Sequence, residues 1–129
     1  MKNKPTIKAT ILVVEDTPAN MALATLILEK AGYAVLQAAN AADGIALARA
    51  DVPGLIMMDI QLPGMSGLEA TRILKADPVT RAIPVIAMTA FAMKGDEEKM
   101  LAAGCDGYLA KPIHYKDLVA VVAARLGMP

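Results

Sequence analysis

The sequence predicts an α/β domain in which a five-stranded parallel sheet carries helices on both faces. Five short apolar runs alternate with five helix-like segments along the chain. Every connection between them is short, so right-handed crossovers return each strand to the same edge of one sheet. The third observation is Leu55 to Asp59, LIMMD, an apolar run that ends abruptly in one carboxylate and meets a loop broken by Pro63 and Gly64. A run this short, bounded by turn residues, reads as a strand buried on both faces. Its last residue then sits at the carboxyl edge, where open α/β sheets place their ligands.

Ile11 to Val14 is the first strand, and it ends in two acids, Glu15 and Asp16. Thr17 is placed to cap the helix that follows, with Pro18 at the first position, where a missing N–H does no harm. This helix runs to about Ala31 and stops at Gly32. Tyr33 to Ala38 is the second strand, and Asn40 caps a second helix that ends near Ala50, before Pro53 and Gly54. After the third strand, Ser66 and Glu69 stand at capping-box spacing and open a helix that ends before Asp77-Pro78. Pro84 precedes the fourth strand, Val85 to Thr89, and a fourth helix from about Lys94 to Ala103 is stopped by Gly104. Gly107 to Ala110 is the fifth strand, Lys111-Pro112 breaks it, and a helix from about Tyr115 to Leu126 closes at Gly127.

A length of 129 residues fits one domain, 1–129 with its core at about 9–127, and leaves no room for an output domain. The 13 basic and 13 acidic side chains cancel and form no basic block, which argues against nucleic acid as a partner. Cys105 is the single cysteine, so no internal disulfide forms and a reducing, cytoplasmic setting is the expectation. No apolar stretch approaches the roughly 20 residues a membrane span needs. The N-terminus lacks the apolar segment of a signal peptide. No membrane is expected among the partners.

Glu15, Asp16, Asp59 and Thr89 all close strands, and Lys111 follows the fifth at once. In a parallel sheet these groups emerge at one edge. Three carboxylates alone would repel one another in a partly buried site. A hard cation resolves the repulsion, and Mg²⁺ accepts one or two carboxylates together with waters and phosphate oxygens. A hydroxyl and an ammonium beside that cluster suit a second, anionic ligand. Together these parts describe phosphoryl transfer, in which positioning and charge neutralisation do most of the catalysis and an aspartate can be the nucleophile. Taken singly, each residue has an ordinary structural reading: a strand-end acid caps a helix, a strand threonine packs, a lysine is solvated. Their joint appearance at one edge favours chemistry.

The segments ILVVED, LIMMDIQLPGMSGLE, IAMTAFAMKGDEE and GCDGYLAKPI stand in the order and spacing of the receiver domains of two-component response regulators. Over nearly its whole length the chain resembles this CheY-like family, and most of all its single-domain, DivK-like regulators. The resemblance implies a flavodoxin-like, doubly wound sheet of strand order 2-1-3-4-5 with five helices. It implies that Asp59 accepts a phosphoryl group from a phosphohistidine on a histidine kinase or histidine phosphotransfer protein. It further implies that Asp16, Asp59 and the backbone carbonyl of Gln61 ligate Mg²⁺, with Glu15 acting through water. Lys111 pairs with the phosphoryl group or Asp59, Thr89 turns toward the phosphoryl oxygen, and Tyr108 swings inward behind it. Lys111-Pro112 is implied to be cis. The outcome is a phosphorylation-switched module that docks to a downstream protein target through the fourth helix, fifth strand and fifth helix, as a monomer or weak homodimer from a bacterium.

Gly54 stands where the family often has an acid, and His114 occupies the N-cap of the last helix as an ordinary loop histidine. Gln61 and Phe91 flank the acceptor and the switch threonine. An amide at Gln61 can orient an attacking water and Phe91 can shield the phosphate, so the lifetime of the phosphorylated form stays open. Met93 and Met100 should share a face of the fourth helix and pack in the core, and Cys105 is a small packing residue. The last helix is apolar over more than one stripe, which suits a partner or a second copy.

Three other readings of the chain compete. A receiver excised from a hybrid histidine kinase carries similar segments, although the Met1 start and the full last helix favour a stand-alone chain. A phosphatase of the haloacid-dehalogenase type would carry a second Asp two residues after the nucleophile, where this chain has Gln61. A flavodoxin-like cofactor carrier would need a phosphate-cradling loop where Glu15 and Asp16 stand.

Overall fold

The computed structural model describes residues 8–90 and 94–127. Five strands and five helices alternate: β1 (Thr10–Val14), α1 (Pro18–Lys30), β2 (Ala34–Ala38), α2 (Ala41–Asp51), β3 (Leu55–Asp59), α3 (Gly67–Ala76), β4 (Val85–Thr89), α4 (Lys94–Ala103), β5 (Gly107–Ala110) and α5 (Tyr115–Leu126). All neighbouring strands pair in parallel, in the order β2-β1-β3-β4-β5. This is the doubly wound order the resemblance implies.

Side chains alternate across the sheet, so each strand feeds two separate cores. Leu12, Val14, Ile56, Met58, Val85 and Ala87 pack with Ile45, Ala70, Leu74 and Met100 beneath α2, α3 and α4. Ile11, Val13, Leu55, Met57, Ile86 and Met88 pack with Ala24, Ile27, Leu28, Leu118 and Val122 beneath α1 and α5. Met100 and Cys105 are core residues, as read from the sequence, whereas Met93 lies outside the described residues. Val119, Val121 and Leu126 of α5 also pack against the second core. The surplus of apolar residues on that helix is thus partly absorbed by the chain itself.

Helix ends follow local chemistry. Asn40 Oδ1 accepts the Asp43 N–H at 2.8 Å, and Ser66 Oγ accepts the Glu69 N–H at 3.2 Å. Thr17 occupies the N-cap of α1, but its side chain makes no capping bond there. Instead its N–H donates to Glu15 Oε2 at 3.1 Å. At the other end of α1, Gly32 N–H donates to Glu29 and Tyr33 N–H to Leu28, a Schellman closure with φ +102° at Gly32. Tyr33 therefore belongs to the helix stop, and β2 begins one residue later than the sequence pattern suggests. Gly104 and Cys105 close α4 in the same way, onto Leu101 and Met100.

At the edge away from the acids, Lys75 gathers three elements. Its Nζ donates to the carbonyls of Arg81 and Ile83 and to Asp106 Oδ2 at 3.0 Å, and Asp106 also accepts the Val85 N–H at 2.8 Å. The end of α3 and the starts of β4 and β5 are held at one point.

Val52 caps α2 with φ +43°, a left-handed conformation that a β-branched residue adopts only under strain. It is 49% exposed, so little packing depends on its side chain. Val52→Asn is expected to stabilise the fold by about 1 kcal/mol, because asparagine tolerates that conformation at little cost. Urea denaturation measures this, and a lowered midpoint would contradict it.

Candidate functional site

Sheet register decides which side chains meet. Val14 pairs with Met58, so Glu15 lies level with Asp59. Thr89 pairs with Ala110, which puts Lys111 one step beyond β5. The ladder continues past the strand ends: Glu15 N–H donates to Ala38, Ile60 N–H to Met88, and Lys111 N–H to Thr89. Glu15, Asp59, Thr89 and Lys111, far apart in sequence, are thus brought to one edge by the strand register and its backbone bonds.

Glu15 and Asp59 are each 2% exposed, while Asp16 faces solvent. Their carboxylates come together, with one oxygen from each lying within 4.8 Å of the others. Lys111 Nζ lies 3.0 Å from Glu15 Oε1 and 3.1 Å from Asp59 Oδ2, bridging the two buried acids. The other oxygen of Asp59, Oδ1, accepts the Gln61 N–H at 2.9 Å. Burial pushes the Glu15 carboxyl above its ordinary range, which the bonds from Lys111 and Thr17 only partly offset, and the neighbouring Asp59 pushes the same way. Burial also works against the charge on Lys111, but its bonds to Glu15 and Asp59 win and hold the ammonium above the usual lysine value.

A cluster of three carboxylates with one cation among them still holds an excess of negative charge. All its donors are hard oxygens, and one acid is open to water. That donor set suits a small divalent ion such as Mg²⁺, which keeps several of its waters.

Strand alternation separates the site into two sides, a division the sequence reading did not draw. Glu15, Asp59 and Lys111 continue the parity of Val13, Met57 and Leu109, which face α1 and α5. Thr89 continues the parity of Val85 and Ala87, and Tyr108 packs on that same α4 side. On the first side, a cavity of about 350 Å³ runs from Glu15 and Lys111 past Asn20, Leu23 and Ala24 of α1 to Ile113. On the second, a smaller one of about 90 Å³ is lined by Ile60, Gln61, Leu68, Thr89, Asp96 and Met100. The Lys111-Pro112 bond is cis.

Glu15, Asp16, Asp59, Gln61, Thr89 and Lys111 fall within this region, with Tyr108 further back in β5. His114 is an exposed N-cap whose side chain makes no capping bond, consistent with its reading as a loop residue. Phe91 lies outside the described residues. Two contributors escaped the sequence reading. Gly67 presses α3 against the backbone of Asp59, and Glu97 of α4 accepts the Tyr108 hydroxyl at 3.4 Å. The first left a faint signal, a glycine where a helix begins. The second left none, because an exposed glutamate in a first helical turn is unremarkable by itself.

Known proteins resemble this chain in sequence and in fold. Residues 11–123 match the response regulator receiver domain. The chain is 46% identical over 118 residues to the polar-differentiation response regulator DivK of Brucella anthropi, covering 92% of this chain and 96% of that one. The DivK of Brucella ovis is 45% identical over the same length. Among solved structures, a response regulator from Chloroflexus aurantiacus superposes with a TM-score of 0.89 at 29% identity, over 96% of this chain and 99% of that one. The receiver domain of a sensor histidine kinase from Pseudomonas aeruginosa, solved with magnesium coordinated in its active-site cleft, gives 0.86 at 36% identity, over 92% and 98%. Among the described residues, no helix is long and apolar enough to cross a membrane. The chain belongs to the response regulator receiver family: it is a DivK-like signalling domain of two-component systems rather than a conventional enzyme.

Proposed function

We propose that the chain accepts a phosphoryl group on Asp59 from a phosphohistidine of a histidine kinase or phosphotransfer protein, in the cytoplasm, and thereby changes which protein it binds. The observation that carries this reading is the Lys111 ammonium bridging two buried carboxylates beside a third, exposed one. Glu15, Asp16, Asp59 and the Gln61 carbonyl are the groups that would hold Mg²⁺, and the ion when bound would supply positive charge against the phosphoryl oxygens.

The chain's own residues do the rest. A carboxylate oxygen of Asp59 attacks phosphorus, the P–N bond to the donor imidazole breaks as the new P–O bond forms, and the departing imidazole nitrogen takes up a proton. Lys111 shifts its ammonium from Asp59 to the incoming phosphoryl oxygens while keeping Glu15. The Gln61 N–H, bonded to Oδ1, fixes the carboxylate plane so that the other oxygen is presented. Thr89 then turns toward the phosphoryl group and Tyr108 follows inward, shifting the population toward the form whose α4-β5-α5 face fits the target.

Intact mass after incubation with acetyl phosphate, with and without Mg²⁺, tests the reading. A Mg²⁺-dependent gain of one phosphoryl group supports it. No gain from acetyl phosphate or from a panel of phosphohistidine proteins would refute it.

The surface beside the larger cavity is suited to a protein donor. Leu23 and Leu26 on α1 are 46% and 52% exposed, on a helix without charge until Glu29. Leu23→Asp is expected to slow transfer from a phosphohistidine protein about tenfold or more, the loss of one buried apolar anchor. The rate with acetyl phosphate should stay unchanged. Equal slowing of both rates would place the defect in the site itself.

A further inference from the structure

We propose that Glu97 is a latch on Tyr108, holding its hydroxyl outward in the phosphoryl-free chain and so setting how readily the domain switches. This rests on the reading of Asp59 and Tyr108 given above and adds the residue that opposes the change. The Tyr108 hydroxyl donates to Glu97 Oε2 at 3.4 Å, across the gap between β5 and α4. Glu97 lies in the first turn of α4, an end of the helix that suits an acidic side chain. The ring of Tyr108 packs against the core on the α4 side, the side that Thr89 also faces. Beside Thr89 lies the cavity of about 90 Å³, bordered by Asp96, Lys99 and Met100 of α4, and Tyr108 is not among the residues lining it. A ring that turns into that space takes its hydroxyl away from Glu97.

The contact therefore belongs to the outward state alone, and by linkage it opposes every ligand that favours the inward one. At 3.4 Å between an exposed pair the bond is long and weak. It biases the equilibrium rather than locking it.

The test is the affinity for beryllofluoride, a tetrahedral phosphoryl mimic, in saturating Mg²⁺, measured by calorimetry for four chains: wild type, Glu97→Ala, Tyr108→Phe and the double variant. Each single change is expected to tighten binding about two- to fourfold, the effect of one weak solvent-exposed hydrogen bond. The double variant should gain no more than either single one, since both remove the same contact. In parallel, Glu97→Ala should move the ring carbon resonances of Tyr108, without ligand, toward their positions in the wild-type complex. Unchanged affinity in Glu97→Ala, or full additivity in the double variant, would overturn the latch while leaving the Asp59 reading intact. Failure of the wild type itself to bind beryllofluoride would overturn both.

Discussion

Asp59→Asn is expected to abolish Mg²⁺-dependent phosphoryl uptake and to leave the folded domain in place. The amide oxygen is a far weaker nucleophile than a carboxylate, and the substitution also removes one of the three acids gathered at the site. Folding survives because most of the local bonding remains. The amide oxygen can still accept the Gln61 N–H, and Lys111 keeps Glu15 at 3.0 Å. Loss of the Lys111 contact is offset by removing the repulsion between two buried carboxylates, so the net change in stability is expected within about 1 kcal/mol. Intact mass and thermal denaturation report the two halves separately. Labelling at the wild-type rate would move the acceptor to another side chain.

Gly67→Ala has the largest expected structural effect. A Cβ built at Gly67 lies 2.0 Å from the Asp59 carbonyl oxygen, 2.8 Å from its carbon and 2.9 Å from Ile60 Cα. All three are backbone atoms, which cannot turn aside as a side chain would. Helix propensity favours alanine here by about 1 kcal/mol, but steric overlap acts in the opposite sense and wins. Overpacking against side chains costs about 1–3 kcal/mol, and a backbone collision belongs at or above the upper end. For a domain of this size that is a fall in Tm of roughly 10 °C. Gly67 also donates its N–H to the Ile60 carbonyl and accepts the Thr71 hydroxyl at 2.8 Å, so relief of the collision must drag α3 or the acceptor backbone. Phosphorylation of the surviving folded protein should therefore slow as well, since attack geometry tolerates little displacement. A Tm within 2 °C of wild type would mean that α3 does not press on Asp59 as drawn.

The strands and most helix ends were legible because their signals are local. LIMMD, VIAMT and GYLA are bounded by residues that end strands, and β3, β4 and β5 fall where that pattern puts them. Tyr33 departs from that pattern because a single backbone bond to Leu28, invisible in the spacing, claims it for the helix stop. The convergence of Glu15, Asp16, Asp59 and Lys111 was readable from topology alone, since parallel strands share a direction. The division of the site between two sides was equally available, by counting alternate residues back from Asp59 and Thr89, but it needed a register to count from. Contacts such as Lys75 with Asp106, or Glu97 with Tyr108, join surface residues on different elements and leave no periodic trace. Neither does the strained backbone of Val52.

Met57 and Met58 are bonded neighbours, yet they sit in different interiors, one under α1 and α5 and the other under α2, α3 and α4. With the sheet between them, a change of volume at one is felt by residues the other never touches. The two interiors can drift in composition independently, each constrained by its own helices, and no compensating change need pass through the sheet. The packing under α1 and α5 can then be altered without disturbing that under α2, α3 and α4, the two being tied only at the sheet edge where Asp59 ends β3.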